Sequence, residues 1–198
     1  GMVVGDEAHL FKAVSLTKIM ARLENCKYRI GLTGTLDDSK THKLVLEGLF
    51  GAVNKIVTTT ELQEKEHLAK LKINCLVLRH EKMSISIIPC FSTYQEEMDF
   101  LVSNTKRNEY IRNLCLGLKG NSLCLFQYVE KHGMILKEMI EERSKDKQVF
   151  FVYGGVEAHE REKIRAITEK SDNAIIIASY GTFSTGINIR NLHNIVFS

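Results

Sequence analysis

The sequence predicts an α/β fold in which parallel β-sheets are flanked by helices. Several short apolar runs are continuous, which is typical of strands covered on both faces. Segments in which apolar residues recur with helical spacing separate these runs, so right-handed βαβ connections are expected. A content of 44% hydrophobic and 26% charged residues is ordinary for a globular protein.

The first third of the chain alternates between the two periodicities. Apolar residues recur at i, i+3, i+4 and i+7 from Leu16 to Leu23, which marks one face of a helix. Gly51 is expected to end a helix, and Thr59 or Thr60 to cap the next one. The predicted strands are 2–6, 28–34 and 71–79, and the predicted helices are 16–23, 41–51 and 59–66.

The rest of the chain is more regular, with helices between buried strands. The predicted strands are 122–126, 148–153, 174–179 and 194–198, and the predicted helices are 94–102, 111–118, 131–143 and 157–169. The strand near 71–79 and the only proline, Pro89, suggest a boundary, so we divide the chain into domains 1–70 and 71–198. A strand at each end of the chain predicts a fragment of a longer protein.

Composition excludes some classes of protein. No apolar run approaches the ~20 residues of a membrane helix, so no membrane partner is expected. A formal charge of +3 is too small to indicate nucleic-acid binding by itself. The five cysteines form no C-x-x-C pair, which favours reduced, mostly buried thiols, no disulfide-linked partner and a cytoplasmic protein.

The segment GDEAH places two carboxylates directly after the first predicted strand. At the carboxyl end of a parallel strand, Asp6 can hold Mg²⁺ and Glu7 can orient and deprotonate a water. His9 can link this loop to a neighbouring one. The alternative is a solvated turn, because acidic residues also suit the start of a helix.

The segment GLTGT follows the second predicted strand. Adjacent parallel strands would bring Thr33, Gly34 and Thr35 beside Glu7 and His9, where hydroxyls can signal the presence of a γ-phosphate. Taken alone, this segment is better interpreted as a simple glycine turn. The order strand, DEAH, helix, strand, TGT makes chance a poor explanation for the two segments together.

A third loop, ASYGTFSTGINI, follows the predicted strand 174–179. Backbone N–H groups and hydroxyls of Ser184, Thr185 and Gly186 can bind phosphate oxygens. Asn188 can hydrogen-bond a sugar or a neighbouring loop. The alternative is an ordinary βα loop capped by serine and threonine.

In this order, GDEAH, GLTGT, SLCLFQYVEKHG and ASYGTFSTGIN resemble motifs II to V of the superfamily 2 helicases, especially the phage recombination helicases. The resemblance covers nearly the whole chain. It implies two RecA-like domains with ATP between them and DNA across them. Domain 1–70 would be the end of the first, with motifs II and III, and domain 71–198 most of the second, truncated before motif VI.

The resemblance also implies roles for particular residues. Asp6 would contact Mg²⁺, Glu7 would be the catalytic base, and His9 would act with Thr33, Gly34 and Thr35 to couple hydrolysis to movement. Asn188 stands where motif V often carries Asp and is a nucleotide-binding candidate. The nucleic-acid-binding candidates are Phe126, Gln127, Lys131, His132, Gly154, Ser184, Thr185 and Gly186.

Two parts of a helicase motor are missing from these 198 residues. No G-K-[ST] phosphate-binding loop and no Q-x-x-G-R-x-x-R motif occur, and positioning and charge stabilisation dominate phosphoryl transfer. We therefore expect the isolated chain to be a poor or inactive ATPase. In the intact enzyme the resemblance implies remodelling of DNA, including branched DNA.

Other interpretations keep the same motifs. An RNA helicase or the motor of a restriction system would carry them too, and a non-catalytic nucleic-acid-binding module would fit the missing loop directly. The basic segments KRNEYIR and EREKIR are interpreted as solvated helical faces, because acidic residues are intermixed with the basic ones.

Overall fold

The computed structural model describes residues 1–11, 13–34, 36, 40–78, 92–183 and 189–198. The chain divides into two compact units, Gly1–Cys75 (unit 1) and Leu76–Ser198 (unit 2). Among the described helices, none is long and apolar enough to cross a lipid bilayer.

Unit 1 is built on two parallel strands, β1 and β2. Its elements are β1 (Met2–Gly5), a 3₁₀ turn (Ala8–Leu10), α1 (Ala13–Ala21), β2 (Tyr28–Gly31), α2 (Lys40–Phe50) and α3 (Thr59–Glu64). A small core of Ala8, Leu16, Met20 and Leu46 lies between the helices and the sheet. The opposite face of the sheet is largely exposed, including Val4 and Ile30.

Local chemistry explains how the helices of unit 1 end and begin. Gly51 follows α2 with φ +100°, a backbone conformation that glycine adopts at little cost. Thr58, and not Thr59 or Thr60, caps α3. Its hydroxyl accepts the Glu61 N–H at 3.2 Å, and the Glu61 carboxylate accepts the Thr58 N–H at 2.9 Å. The predicted cap was therefore wrong by one residue.

The strand predicted at 71–79 is absent over its described part, 71–78. Apolar side chains there are strongly exposed, with Ile73 at 78% and Val77 at 81%. The alternating pattern favours an extended chain, but a strand also needs a neighbour for its backbone N–H and C=O groups. No described strand pairs with this segment, so β-propensity alone does not make it a strand.

Unit 2 is a four-stranded parallel sheet in the order β4–β5–β3–β6. Its elements are α4 (Tyr94–Ser103), α5 (Thr105–Gly117), β3 (Ser122–Phe126), a π-helical turn (Val129–Gly133), α6 (Met134–Arg143), β4 (Gln148–Val152), α7 (Ala158–Lys170), β5 (Ala174–Ser179), α8 (Tyr180–Phe183) and β6 (Asn194–Phe197). Every residue of β3 and β5 is buried. The predicted α/β class with parallel sheets flanked by helices is therefore confirmed.

The core of unit 2 has one layer on each face of the sheet. Phe126, Leu136 and Ile177 belong to the layer under α5 and α6. Ile176 and Val152 belong to the opposite layer. Successive β5 residues thus point to opposite faces and are all buried, which is why AIIIAS is continuously apolar.

The described cysteines are free thiols in three environments. Cys115 and Cys124 are buried in the core of unit 2, Cys26 is half-buried, and Cys75 is exposed.

Candidate functional site

The parallel pairing of β1 and β2 brings their carboxyl ends together. Gly5 pairs with Gly31 in the register of the two strands. A Cβ atom at Gly5 would lie 3.1 Å from the ring of Phe50, and one at Gly31 would lie 3.0 Å from it. The two glycines thus let α2 close against the strand ends, and the loops that follow are held side by side.

The loop after β1 carries the two carboxylates. The Glu7 N–H donates to Oδ1 of Asp6 at 2.9 Å, and Glu7 has left-handed backbone angles of φ 49° and ψ 43°. For a residue other than glycine this conformation costs about 1–2 kcal/mol. The Glu7 side chain is 58% exposed. The loop therefore presents a solvent-accessible carboxylate on a strained backbone, as many functional sites do.

Two backbone hydrogen bonds lock the first loop to the second. The Leu32 N–H donates to the Gly5 carbonyl at 2.8 Å, and the Ala8 N–H donates to the Leu32 carbonyl at 2.9 Å. Ala8 is buried, so this connection lies on the protein side of the loop. The two loops consequently form one structural element.

Side chains also connect the loop after β1 to the loop after β2. Nδ1 of His9 and the hydroxyl of Thr33 share a hydrogen bond of 2.6 Å, and the same nitrogen lies 3.4 Å from Oε2 of Glu7. The expected proximity of Thr33 to Glu7 and His9 is therefore present. Gly34 has open space around it, whereas Thr35 is outside the described residues.

The donor atoms of this edge suit Mg²⁺. Two carboxylates, Asp6 and Glu7, follow one strand, and the Thr33 hydroxyl follows the next. Mg²⁺ prefers such oxygen ligands and keeps several waters, so it needs few protein carboxylates. The chemistry of these oxygen atoms fits a hydrated magnesium ion that takes few protein ligands, while the described residues contain no group of three or more histidine, cysteine or carboxylate side chains that could hold a metal.

The candidates after β3 in unit 2 fall into two groups. Phe126 and His132 are fully buried, so neither side chain has surface available for contacting a nucleic acid in this conformation. The Phe126 ring stacks on Phe151 at 5.4 Å. Gln127 and Lys131 are exposed, which leaves them as the accessible members of this segment.

His132 belongs to a buried polar cluster. Its Nε2 lies 3.2 Å from Oδ1 of Asn108 and 3.4 Å from a guanidinium nitrogen of Arg107, while Nδ1 has no hydrogen-bond partner among the described residues. Burial, followed by the charge of Arg107, lowers the pKa of His132 to about 4. His132 is therefore neutral at physiological pH, and its environment is that of a packed core residue.

The remaining candidates lie after β4 and β5. Gly154 is exposed with open space around it. Ser184, Thr185, Gly186 and Asn188 lie in the part of the chain that is not described. Before them, the Ser179 and Thr182 hydroxyls share a hydrogen bond of 2.7 Å.

The interpretation of KRNEYIR as a solvated face needs correction. Arg107 is half-buried, and Asn108 and Arg112 are buried. Asn108, Ile111, Arg112 and Cys115 have the spacing i, i+3, i+4 and i+7, so they share the inner face of α5. That spacing was the sequence signal for a buried helical face, but the intermixed charged residues concealed it.

Comparisons with known proteins show what this arrangement is similar to. No protein-family model matches the chain. The chain is 35% identical over 201 residues to the "ATP-dependent DNA helicase uvsW" of Enterobacteria phage T4, an alignment that covers all of this chain and 39% of that protein. The crystal structure of T4 UvsW matches with 30% identity and a TM-score of 0.48, covering all of this chain and 38% of that one.

The sequence identity, which extends over the whole chain, and the parallel α/β fold show the class of protein to which the chain is similar: the ATP-dependent DNA helicases. Within that class it is related along its whole length to UvsW of phage T4, as the motifs predicted. The chain spans about two fifths of the length of this relative.

Proposed function

We propose that this chain is part of an ATP-dependent DNA helicase or translocase, with its hydrolytic residues in unit 1. The observation that carries the proposal is the 2.6 Å hydrogen bond between His9 and Thr33. It joins the loop that bears both carboxylates to the loop after the neighbouring strand. The 35% identity to a helicase over the whole chain supports the same conclusion.

In the assembled motor, Asp6 contacts Mg²⁺ and Glu7 is the general base. The exposed Glu7 carboxylate can accept a proton from the attacking water, and Asp6 would hold the metal beside it. Mg²⁺ supplies Lewis-acid stabilisation of the phosphoryl oxygens. The left-handed backbone at Glu7 fixes where its side chain leaves the loop.

His9 and Thr33 couple hydrolysis to movement. A change at the γ-phosphate alters the position of Glu7, whose carboxylate lies 3.4 Å from His9. The His9–Thr33 hydrogen bond and the Ala8–Leu32 backbone bond pass that change to the second loop. Gly34 and Thr35 complete this coupling loop in the proposal.

DNA binds to the exposed polar positions of unit 2 in this proposal. Gln127, Lys131 and Gly154 offer an amide, a cation and an open backbone. Ser184, Thr185 and Gly186 add phosphate contacts, and Asn188 contacts the nucleotide. The substrate of the intact enzyme includes branched DNA, and the enzyme acts in the cytoplasm of a bacterial host.

A chimera tests the catalytic assignment, because the 198 residues contain no G-K-[ST] loop. This chain replaces the matching segment of T4 UvsW, and DNA-stimulated ATP hydrolysis is measured. Glu7→Gln is expected to lower the turnover number by about 10²–10⁴-fold, the usual contribution of a general base, while ATP binding is retained. The isolated chain is expected to hydrolyse ATP at a background rate.

Glu66→Gln is the matched control, since Glu66 also lies in unit 1 with a left-handed backbone, at φ 59°. It should leave turnover unchanged. Undiminished hydrolysis in Glu7→Gln would refute the base assignment, and a chimera that binds ATP but is inactive without substitution would argue against the helicase proposal.

A further inference from the structure

An exposed polar network connects α4 to the π-helical turn after β3. The Lys131 ammonium donates to both carboxylate oxygens of Asp99, at 3.1 and 3.2 Å. The Gln95 amide donates to Oδ1 of Asp99 at 3.0 Å and lies 3.4 Å from the Tyr128 hydroxyl. Asp99 is therefore an oxyanion held by a cation and an amide.

This donor set resembles what a phosphate oxygen needs. Lysine is a common phosphate ligand, and charge-assisted hydrogen bonds to an oxyanion are the stronger kind. The hydrogen bonds from Lys131 and Gln95 hold the pKa of Asp99 below its usual value, so its carboxylate is ionised at neutral pH. Asp99 thus pairs with Lys131 through a negative charge, which is also the charge of a DNA backbone phosphate.

The pair is also accessible and weakly held. The side chains of Lys131 and Asp99 are 60% and 41% exposed, and an exposed ion pair of this kind stabilises a protein very little. The turn that carries Lys131 follows the carboxyl end of β3, the edge where parallel α/β sheets bind their ligands. An incoming phosphate can therefore reach Lys131 and exchange with the carboxylate.

We propose that Asp99 is a built-in competitor for DNA: it holds Lys131 in the DNA-free chain, and a backbone phosphate displaces it on binding. Asp99 is a positioning residue that acts through Lys131 and sets the affinity and salt dependence of DNA binding. The proposal rests on the proposed function, since it takes Lys131 as a DNA contact.

The sign of the change in DNA affinity distinguishes competition with phosphate from a purely structural role of Asp99. If Asp99 only tied α4 to the turn, its loss would loosen Lys131 and weaken DNA binding or leave it unchanged. If Asp99 competes with phosphate, its neutralisation frees Lys131 and strengthens DNA binding. Asp99→Asn keeps an oxygen that can accept the Gln95 amide and removes only the charge.

The test measures binding of fluorescein-labelled single-stranded DNA to the 198-residue chain by fluorescence anisotropy. Asp99→Asn is expected to tighten binding about two- to fivefold at 50 mM NaCl, the range that an exposed ion pair allows. The gain should shrink at 200 mM NaCl because salt screens exposed charges. Glu97→Gln removes the same charge from an exposed position of the same helix and should give a smaller gain.

The decisive comparison repeats the Asp99→Asn substitution in a chain that already carries Lys131→Met. There, Asp99→Asn is expected to have no effect on affinity, because the cation through which it acts is gone. An equal gain with and without Lys131, an equal gain from Glu97→Gln, or no gain in Asp99→Asn would each overturn the proposal while leaving DNA binding intact. Absence of DNA binding in both the unsubstituted chain and Asp99→Asn would overturn the DNA-contact assignment of unit 2 as well.

Discussion

The two units differ most in how their strands are covered. In unit 1 the residues of β1 and β2 are exposed or half-buried, and Ile30 is 43% exposed. In unit 2 the central strands β3 and β5 are buried along their whole length, and Ile177 is fully enclosed. Among the described residues, unit 2 therefore has an apolar core on both faces of its sheet, and unit 1 has a core on one face.

Because of this difference, the residues that stabilise the fold and the residues proposed for chemistry lie mainly in different units. The groups proposed for hydrolysis in unit 1 lie in loops at an exposed edge, where a substrate can reach them. Among the described residues, unit 2 contains the larger apolar core and all of the buried polar side chains. Substitutions should therefore affect the two units very differently.

The largest contrast in stability between the two units is expected from one isoleucine substitution in each. Ile177→Ala removes fully buried methyl groups and should lower the free energy of opening of β5 by about 2–5 kcal/mol. Ile30→Ala removes a side chain that is already partly exposed to water. It should lower the free energy of opening of β2 by less than about 1 kcal/mol. Native-state hydrogen exchange of strand peptides measures both.

Equal losses at the two isoleucines would contradict the comparison. That result would mean that the exposed face of the sheet in unit 1 is covered by protein in solution.

Asn121 is expected to have the next largest effect. Its buried amide nitrogen donates to the carbonyls of Thr168, Ser171 and Asn191 at 2.6–2.9 Å, and its oxygen accepts the Ala174 N–H at 2.8 Å. Asn121→Ala removes all four hydrogen bonds, although the Thr168 carbonyl keeps the Ser171 N–H and the Ser171 carbonyl keeps the Asn191 amide. The loss should lower the free energy of opening of unit 2 by about 3 kcal/mol. Hydrogen exchange of the β3 and β5 amides reports this change.

Asn54→Ala is the control in unit 1, because Asn54 is exposed and makes one long contact of 3.5 Å to the Ala52 carbonyl. It should change stability by less than about 0.5 kcal/mol. A similar loss from both substitutions would show that Asn121 does not act through its buried hydrogen bonds.

The sequence predicted the parts of the fold that depend on local pattern. The continuous run AIIIAS indicated a strand covered on both faces, and the order of GDEAH and GLTGT indicated that His9 and Thr33 would meet. Both follow from short-range periodicity and from the geometry of adjacent parallel strands.

Contacts between distant segments could not be read in the same way. The strand predicted over 71–79 has the right pattern, yet its described residues lack a paired neighbour. His132 was a nucleic-acid-binding candidate because of its position in a motif, and its burial depends on α5, more than 20 residues earlier. A polar residue that faces a core can be recognised in sequence only by its spacing from buried apolar residues, as in α5, and His132 has no such regular spacing to α5.

The buried His132 makes the stability of unit 2 depend on pH. Its folded pKa of about 4 lies below the unfolded value of about 6.5, so the unfolded chain binds the proton more tightly. Stability should therefore fall as the pH drops from 6.5 towards 4, by about 2 kcal/mol between pH 7.5 and pH 5.0.

His132→Gln should remove this part of the pH dependence, and hydrogen exchange of β3 measured at the two pH values gives the difference between the proteins. The same loss of stability on acidification in both proteins would assign the effect to other groups.

Two glycine substitutions, one in each unit, are expected to have effects of opposite sign. A Cβ at Gly133 would lie 2.6 Å from the Phe126 ring, whereas one at Gly48, in α2, would meet no atom within 4 Å. Gly133→Ala should lower the free energy of opening of unit 2 by about 1–3 kcal/mol through overpacking. Gly48→Ala should raise that of unit 1 by about 0.5–1 kcal/mol, because alanine favours the helix. Destabilisation by both substitutions would show that α2 is also packed on its outer side, and the contrast between a filled unit and an open one would fail there.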